Sequence, residues 1–234
     1  MKPMIVILGP TACGKTRLAT HLAYELGGEI ISADSRQVYR GMDIGTGKDM
    51  KEYVVNNQSI PYHLIDIVDA GEMYNVHRFQ QDCDEAIADI RARDRFPVLC
   101  GGTGLYLEAV LKEHRFTAVP IDEDLRTYLH LLSDESLLEK FRNVPSAYTP
   151  VADTSTRKRL IRAIEISTFL TRHPHFFSDR TNQSVPDYRI FGLEISVEER
   201  RARITGRLHE RLQNGMIEEV QTLLAKGISA EQLI

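Results

Sequence analysis

The chain opens with an uninterrupted apolar run, Met4-Ile5-Val6-Ile7-Leu8, rich in β-branched residues and closed by Gly9-Pro10. Such a run predicts a strand buried on both faces of a parallel sheet, because a strand with one wet face would alternate instead. Helical spacing follows. Leu18, Ala19, Leu22, Ala23 and Leu26 fall on one side of a predicted helix over 15–26, which Gly27-Gly28 ends. A second apolar run over 29–33 leads into Asp34, and a third, Pro97-Val98-Leu99-Cys100, runs into Gly101-Gly102-Thr103-Gly104. Between these runs Phe79, Cys83, Ile87 and Ile90 mark one stripe of a helix over 76–93. Strand and helix in alternation predict an open α/β sheet with right-handed crossovers.

The pattern changes after residue 117. Helical spacing with interruptions at Pro145 and Pro150 covers 122–170, and an irregular polar stretch runs from His173-Pro174-His175 to Pro186. Strand character returns over 188–195, and 196–225 reads as one long charged helix or a helix pair before Gly227. The expected organisation is therefore a core of residues 1–117 and 187–234, interrupted by a mostly helical insertion over 118–186.

Composition narrows the classes. The 234 residues are 42% hydrophobic and 26% charged, which suits a globular chain with a full core and excludes disorder. With 33 acidic against 29 basic residues the net charge is -4, so no cationic field covers the whole surface and contact with a polyanion has to be local. Cys13, Cys83 and Cys100 are odd in number and scattered, as expected of a reducing cytoplasm rather than a disulfide or zinc framework. No stretch approaches the roughly 20 apolar residues of a membrane span. The opening apolar run is too short for a secretory signal. His63, His77, His173 and His175 have no metal-ligand spacing and are expected on loops or the surface.

Gly9-Pro10-Thr11-Ala12-Cys13-Gly14-Lys15-Thr16 satisfies G-x-x-x-x-G-K-[ST], the pattern of the ATP-binding P-loop, and lies between a predicted strand and a predicted helix. Its backbone N–H groups and the helix's positive end converge on one point, Lys15 adds a point charge, and the Thr16 hydroxyl is suited to Mg²⁺. The loop therefore reads as a site for two linked phosphates, in a P-loop NTPase-like parallel sheet flanked by helices. Asp34 is expected at the carboxyl end of a neighbouring strand, where ligands of such sheets bind. Position alone allows it to bind metal, to cap a helix or to accept a proton.

The segment from Ser32 through Gln37 to Lys48 closely resembles the one that follows the phosphate loop in tRNA dimethylallyltransferases. Further matches are 97–106, then Arg159-Leu160-Ile161-Arg162-Ala163-Ile164-Glu165, then Arg203 and Arg207 through Gly215 to Glu219. The family transfers a dimethylallyl group from its diphosphate to N6 of the adenosine beside the anticodon. The resemblance implies Asp34 as the base receiving the N6 proton, with Lys15, Thr103 and Arg207 assisting diphosphate departure. Residues 9–16 would bind the diphosphate. Asp34, Ser35, Arg36, Gln37 and Thr103 would meet the flipped-out base, while Arg126, Lys158, Arg159, Leu160, Ile161 and Arg162 would contact tRNA. Mg²⁺ on Thr16 and dimethylallyl diphosphate as co-substrate complete the expectation, for a monomeric cytoplasmic enzyme without a membrane partner.

Blander roles stand beside each of these. Thr103 suits a turn or cap, the run at 157–162 suits a solvated helix face, and Arg203 and Arg207 could pair with Glu199 and Glu210. A small-molecule or nucleotide kinase shares the phosphate loop and is the alternative function. The chain departs from the family in having Cys13 for the usual serine and Thr156 for a common asparagine. It also stops before the aromatic and basic ending the family usually carries, which bears on tRNA affinity.

Overall fold

The computed structural model describes residues 2–112, 115–177 and 187–233. The first half holds β1 (Met4–Leu8), α1 (Lys15–Leu26), β2 (Glu29–Ala33) and β3 (Tyr39–Arg40), then β4 (Val54–Val55), β5 (Gln58–Ser59), β6 (Tyr62–His63) and β7 (Val68–Asp69). After these come α2 (Val76–Ala92), β8 (Pro97–Gly101), α3 (Gly104–Leu111), α4 (Glu123–His130), α5 (Asp134–Arg142) and α6 (Arg157–Arg172). The chain continues through β9 (Tyr188–Gly192), α7 (Val197–Gln213) and α8 (Met216–Ala225). It divides into two compact units, one of residues 1–113 with 185–234 and one of residues 114–184. The expected end of the insertion, at 186, lies outside the described residues, as does the irregular stretch beyond Phe177.

The first unit is a P-loop NTPase-like fold. Its main sheet has the strand order β6-β2-β8-β1-β9, with every pairing parallel. Strand alternation sorts the core into two layers. Val6, Ile31 and Leu99 face Phe79, Ile87 and Ile90 of α2 and Tyr106 of α3. Ile5, Ile7, Ile30 and Val98 face Ala19 and Ala23 of α1, together with Tyr53, Val55 and Ile60. Each fully buried aliphatic side chain contributes about 1.5–3 kcal/mol relative to exposure. Gly101 packs so tightly on β2 that a Cβ there would overlap the Ala33 carbonyl. That approach brings the carboxyl ends of β2 and β8 together.

The charged tail takes the second of its two expected forms, a pair of helices broken at Gly215. Two features depart from the sequence pattern. β9 ends at Gly192 rather than continuing to 195, although the Leu193 N–H still bonds the Leu8 carbonyl at 2.8 Å. The two-residue strands went unpredicted because they are shorter than any hydrophobic period; the β4–β5 hairpin turns on Asn56-Asn57, both at positive φ.

The second unit has its own small core, in which Leu129, Leu137, Leu160, Ile161 and Ile164 pack together. Thr156 caps α6 by accepting the Arg159 N–H at 3.3 Å. It thereby performs the capping task that an asparagine would perform there.

His63 lies on the edge strand β6 and is half-buried, with its Nε2 2.7 Å from the Glu29 carboxylate. Glu29 also accepts from Arg93 Nε at 3.1 Å and Nη2 at 2.8 Å, and from Arg95 at 3.3 Å. Burial opposes ionisation of Glu29, but Arg93 and His63 outweigh it and hold the carboxyl below its ordinary 4.5. Stability drawn from a depressed carboxyl is complete above the unfolded value and lost as pH falls through the folded one. Glu29→Gln, which weakens the hydrogen bonds from Arg93, Arg95 and His63 and leaves Arg93 with Asp89 as its charged partner, is expected to destabilise the fold by about 1–2 kcal/mol at neutral pH. The difference from wild type should shrink below pH 4.5, as read from urea unfolding across pH.

Candidate active site

The phosphate loop spans 9–16 between β1 and α1. Gly14, at φ 90°, occupies the N-cap position of α1 in the left-handed region that only glycine enters cheaply, and Ala12 is also left-handed at φ 63°. This turn presents successive N–H groups at the positive end of α1. Lys15 curls back over the loop, its Nζ donating to the Pro10 carbonyl at 2.7 Å. Cys13 is buried beneath, its Sγ 4.0 Å from the same ammonium.

Asp34 stands half-buried one residue beyond β2, its Oδ1 accepting the Arg36 N–H at 2.9 Å. Thr103 holds the N-cap position of α3 without capping it. Its hydroxyl instead accepts the Ser35 N–H at 3.1 Å, while its own N–H bonds the Ala33 carbonyl at 3.3 Å. Gly102, beside Thr103, lies against the Lys15 ammonium. The 101–103 turn therefore links the phosphate loop to the Asp34 turn. Electrostatics agree with this adjacency. Burial pushes the Cys100 thiol up to about 12 against the pull of Lys15, and pushes the Tyr106 hydroxyl up to about 12, with Tyr39 and Asp34 adding to it.

A cavity of about 760 Å³ opens over the loop. Gly14, Lys15, Thr16 and Arg17 line it on one side, Arg203, Arg207 and Arg211 of α7 on another, and Lys48, Asp49 and Glu52 on a third. Asp34 is outside its walls, on the neighbouring strand end. Arg203 reaches the phosphate loop itself, donating to the Ala12 carbonyl at 3.3 Å, and also pairs with Glu199 at 2.6 Å. Arg207 does not pair with Glu210; it donates to Asp49 at 2.6 Å. Arg211 loses proton affinity through burial and the like charge of Arg207. Glu52 is raised by burial and by Asp49, with Arg207 and Arg17 opposing. The cations thus crowd one another around a space that suits an anion.

Arg211, Lys48, Asp49 and Glu52 were missed from sequence. Arg211 continues the four-residue spacing of Arg203 and Arg207, so helical periodicity could have found it. Nothing local marked the others.

Other expected contacts are otherwise engaged. Gln37 accepts from the Ser32 hydroxyl at 2.9 Å and donates to the Gly47 carbonyl at 3.2 Å, so its amide pins the chain around Asp34. In the helical unit Leu160 and Ile161 are core residues, which corrects their expected place on an RNA-facing surface. Buried Glu165 accepts from Arg126 Nε and Nη2, each at 2.8 Å, and from Arg162 at 3.3 Å. Arg162 also donates to the Val119 and Pro120 carbonyls. Arg126 and Arg162 therefore brace the unit from within, a role the density of positive charge concealed. Arg159 bonds Asp153 at 2.7 Å, and Arg157 pairs with Asp134. Lys158 is exposed, with no partner among the described residues.

A parallel sheet, a phosphate loop and a helix of arginines beside it define a P-loop protein built to hold a substrate phosphate group. The "IPP transferase" family matches residues 37–234 and the "Isopentenyl transferase" family residues 2–71. tRNA dimethylallyltransferase 1 of Porphyromonas gingivalis is 51% identical over 99% of this chain and 75% of its own. tRNA dimethylallyltransferase 2 of Phocaeicola vulgatus is likewise 51% identical, over 99% and 74%. Among solved structures, the full-length tRNA isopentenylpyrophosphate transferase of Bacillus halodurans matches at TM-score 0.65 and 33% identity, covering 98% of this chain and 72% of that one. A eukaryotic dimethylallyltransferase acting on tRNA matches at TM-score 0.78 and 27% identity, covering 97% and 56%. The chain belongs to the tRNA dimethylallyltransferase family of prenyltransferases.

Truncating Arg126 leaves Glu165 buried with only Arg162, so Arg126→Ala is expected to lower stability by about 3 kcal/mol. Lys158→Ala should change it by less than about 0.5 kcal/mol. Chemical denaturation of the two variants checks the contrast, and an unaltered midpoint for Arg126→Ala would refute the bracing role.

Proposed function

We propose that this chain transfers the dimethylallyl group of dimethylallyl diphosphate to N6 of the adenosine adjacent to the anticodon of a tRNA. The observation that carries the reading is the 101–103 turn, which joins a diphosphate cradle to a half-buried carboxylate at the next strand end. A leaving group and a proton acceptor are thereby set side by side.

The chemistry follows from the two halves. The adenosine N6 attacks the allylic carbon, a C–N bond forms, and the C–O bond to diphosphate breaks. Negative charge grows on the departing oxygens, where the loop amides, Lys15 and Arg207 oppose it. The N6 proton becomes acidic only as its nitrogen gains positive character, so an ordinary carboxylate such as Asp34 is basic enough to take it. Thr103 fixes the Asp34 turn through Ser35 and has a hydroxyl at the junction of the two half-sites. Among the described residues no three His, Cys, Asp or Glu side chains gather into a metal cage. The Thr16 hydroxyl together with substrate phosphate oxygens is a donor set that suits Mg²⁺, with Asp49 and Glu52 as further hard oxygens in the cavity. Mg²⁺ held there supplies charge neutralisation of the diphosphate.

N6 is out of reach for in-line attack inside a stacked loop, so the target base has to be extruded. Ser35 and Arg36, next to Asp34, are the residues to receive it. The inserted helical unit, with Lys158 among its exposed cations, is assigned to the tRNA backbone. One chain carries both the cradle and the base, which supports a monomer as the acting unit, and a tRNA substrate goes with a place in the cytoplasm. Among the described residues no helix is long and apolar enough to cross a membrane.

Wild-type protein incubated with dimethylallyl diphosphate, Mg²⁺ and unmodified tRNA should yield N6-prenyladenosine by mass spectrometry of digested tRNA. Asp34→Ala is expected to lower the rate about 100-fold or more while retaining pyrophosphate affinity. Wild-type turnover by that variant would remove Asp34 from the mechanism.

A further inference from the structure

Glu219, on the first turn of α8, points its carboxylate away from its own helix into the loop that precedes Lys48. One oxygen, Oε2, accepts the Asp43 N–H at 2.8 Å and the Ile44 N–H at 2.7 Å; the other, Oε1, accepts the Gly45 N–H at 3.0 Å. Three consecutive backbone donors on one carboxylate form a charge-assisted nest, of the kind that elsewhere captures anionic ligands. Here the fold supplies the anion itself. Met216 and Leu223, three residues before and four after Glu219, approach Gly45 and Gly41, so one face of α8 seats along this loop.

The other backbone group of the same residue matters to the diphosphate cavity. Gly45, whose N–H is held by Glu219, offers its carbonyl to Arg211 Nη1 at 3.3 Å. Arg211 lines the cavity, half-buried and electrostatically opposed by Arg207. Asp49, Glu210 and Glu219 attract this guanidinium while Arg207 repels it, and its direction is set by its hydrogen bond to the Gly45 carbonyl. Glu219 holds Gly45 in place.

We propose that Glu219 is a positioning residue for diphosphate binding, acting through the backbone of Gly45 to aim Arg211 into the phosphate cavity. The inference rests on the cavity being the diphosphate site. Glu219 does not touch the substrate; its effect reaches the ligand only through Arg211.

The test is a double-mutant cycle on inorganic pyrophosphate affinity, measured by titration calorimetry in Mg²⁺ buffer with wild type, Glu219→Ala, Arg211→Ala and the double variant. Glu219→Ala is expected to weaken pyrophosphate about tenfold, equivalent to about 1.4 kcal/mol. In the Arg211→Ala background the same change should cost less than about threefold, because the arginine that it aims is gone. In steady-state assays Glu219→Ala should raise KM for the allylic diphosphate and leave kcat and KM for tRNA near wild type, a split that general loosening of the fold would not give. Equal costs in both backgrounds, or no loss in the single variant, would overturn the proposal. Should Glu219→Ala fail to give a cooperative melt, Glu219→Gln takes its place; it keeps the side-chain length and one acceptor, with about a threefold loss expected in wild type and none in Arg211→Ala. Failure of the wild-type protein to bind pyrophosphate would defeat the reading of the cavity, an outcome distinct from any pattern among the variants.

Discussion

Gathering positive charge in one place is unfavourable, and this fold does so around the cavity over the phosphate loop. Lys15, Arg207 and Arg211 line that cavity, and burial together with the like charge of Arg207 lowers the proton affinity of Arg211. The solution is to give each cation an oxygen. Lys15 rests on the Pro10 carbonyl, Arg203 on Ala12, Arg207 on Asp49 and Arg211 on Gly45. Three of these partners are neutral carbonyls, and each engages only part of its cation's set of donors, which leaves the others for an anion in the proposed diphosphate site. The site is thus assembled in advance, and little reorganisation remains for the reaction itself.

The loop over 41–49 carries much of this preorganisation. Buried Lys48 donates to Asp43 at 2.7 Å and to the Tyr39 carbonyl at 2.6 Å, and pairs with Asp66. Gln37 reaches the Gly47 carbonyl, so the loop is tied to the strand end that bears Asp34. A buried ammonium is tolerable only because every partner is present. The same rule operates at Glu29 among Arg93, Arg95 and His63, and at Glu165 between Arg126 and Arg162. In each case charge that reads as surface chemistry in the sequence is internal scaffolding.

In the proposed reaction the two chemical demands of prenyl transfer fall to different elements. Stabilising a leaving diphosphate needs backbone amides and fixed cations, which would come from the loop after β1 and from the face of α7. Accepting a proton needs a carboxylate within reach of the nucleophile. In the proposed reaction that carboxylate is Asp34, outside the cavity walls but joined to the phosphate loop by the 101–103 turn. Separation by a single turn satisfies both.

Local signals were sufficient for the strands β1, β2 and β8, the helices α1 and α2, and the phosphate loop. Their hydrophobic periods are long, and the loop's glycines and lysine act within eight consecutive residues. The capping of α6 by Thr156 belongs to the same class, since an N-cap depends only on its next three residues. Long-range partners decided the roles of the charged and polar side chains. Arg126 and Arg162 read as free cations until Glu165 is placed between them, Arg207 could have taken Glu210 but takes Asp49, and Thr103 looks like a cap but bonds Ser35, 68 residues away. Hydrophobic spacing and turn chemistry are properties of neighbours along the chain, so sequence determined them alone. The partner of a charge is a property of neighbours in space, and only the folded sheet, bringing Glu219 to residues 43–45 across more than 170 positions, could decide it.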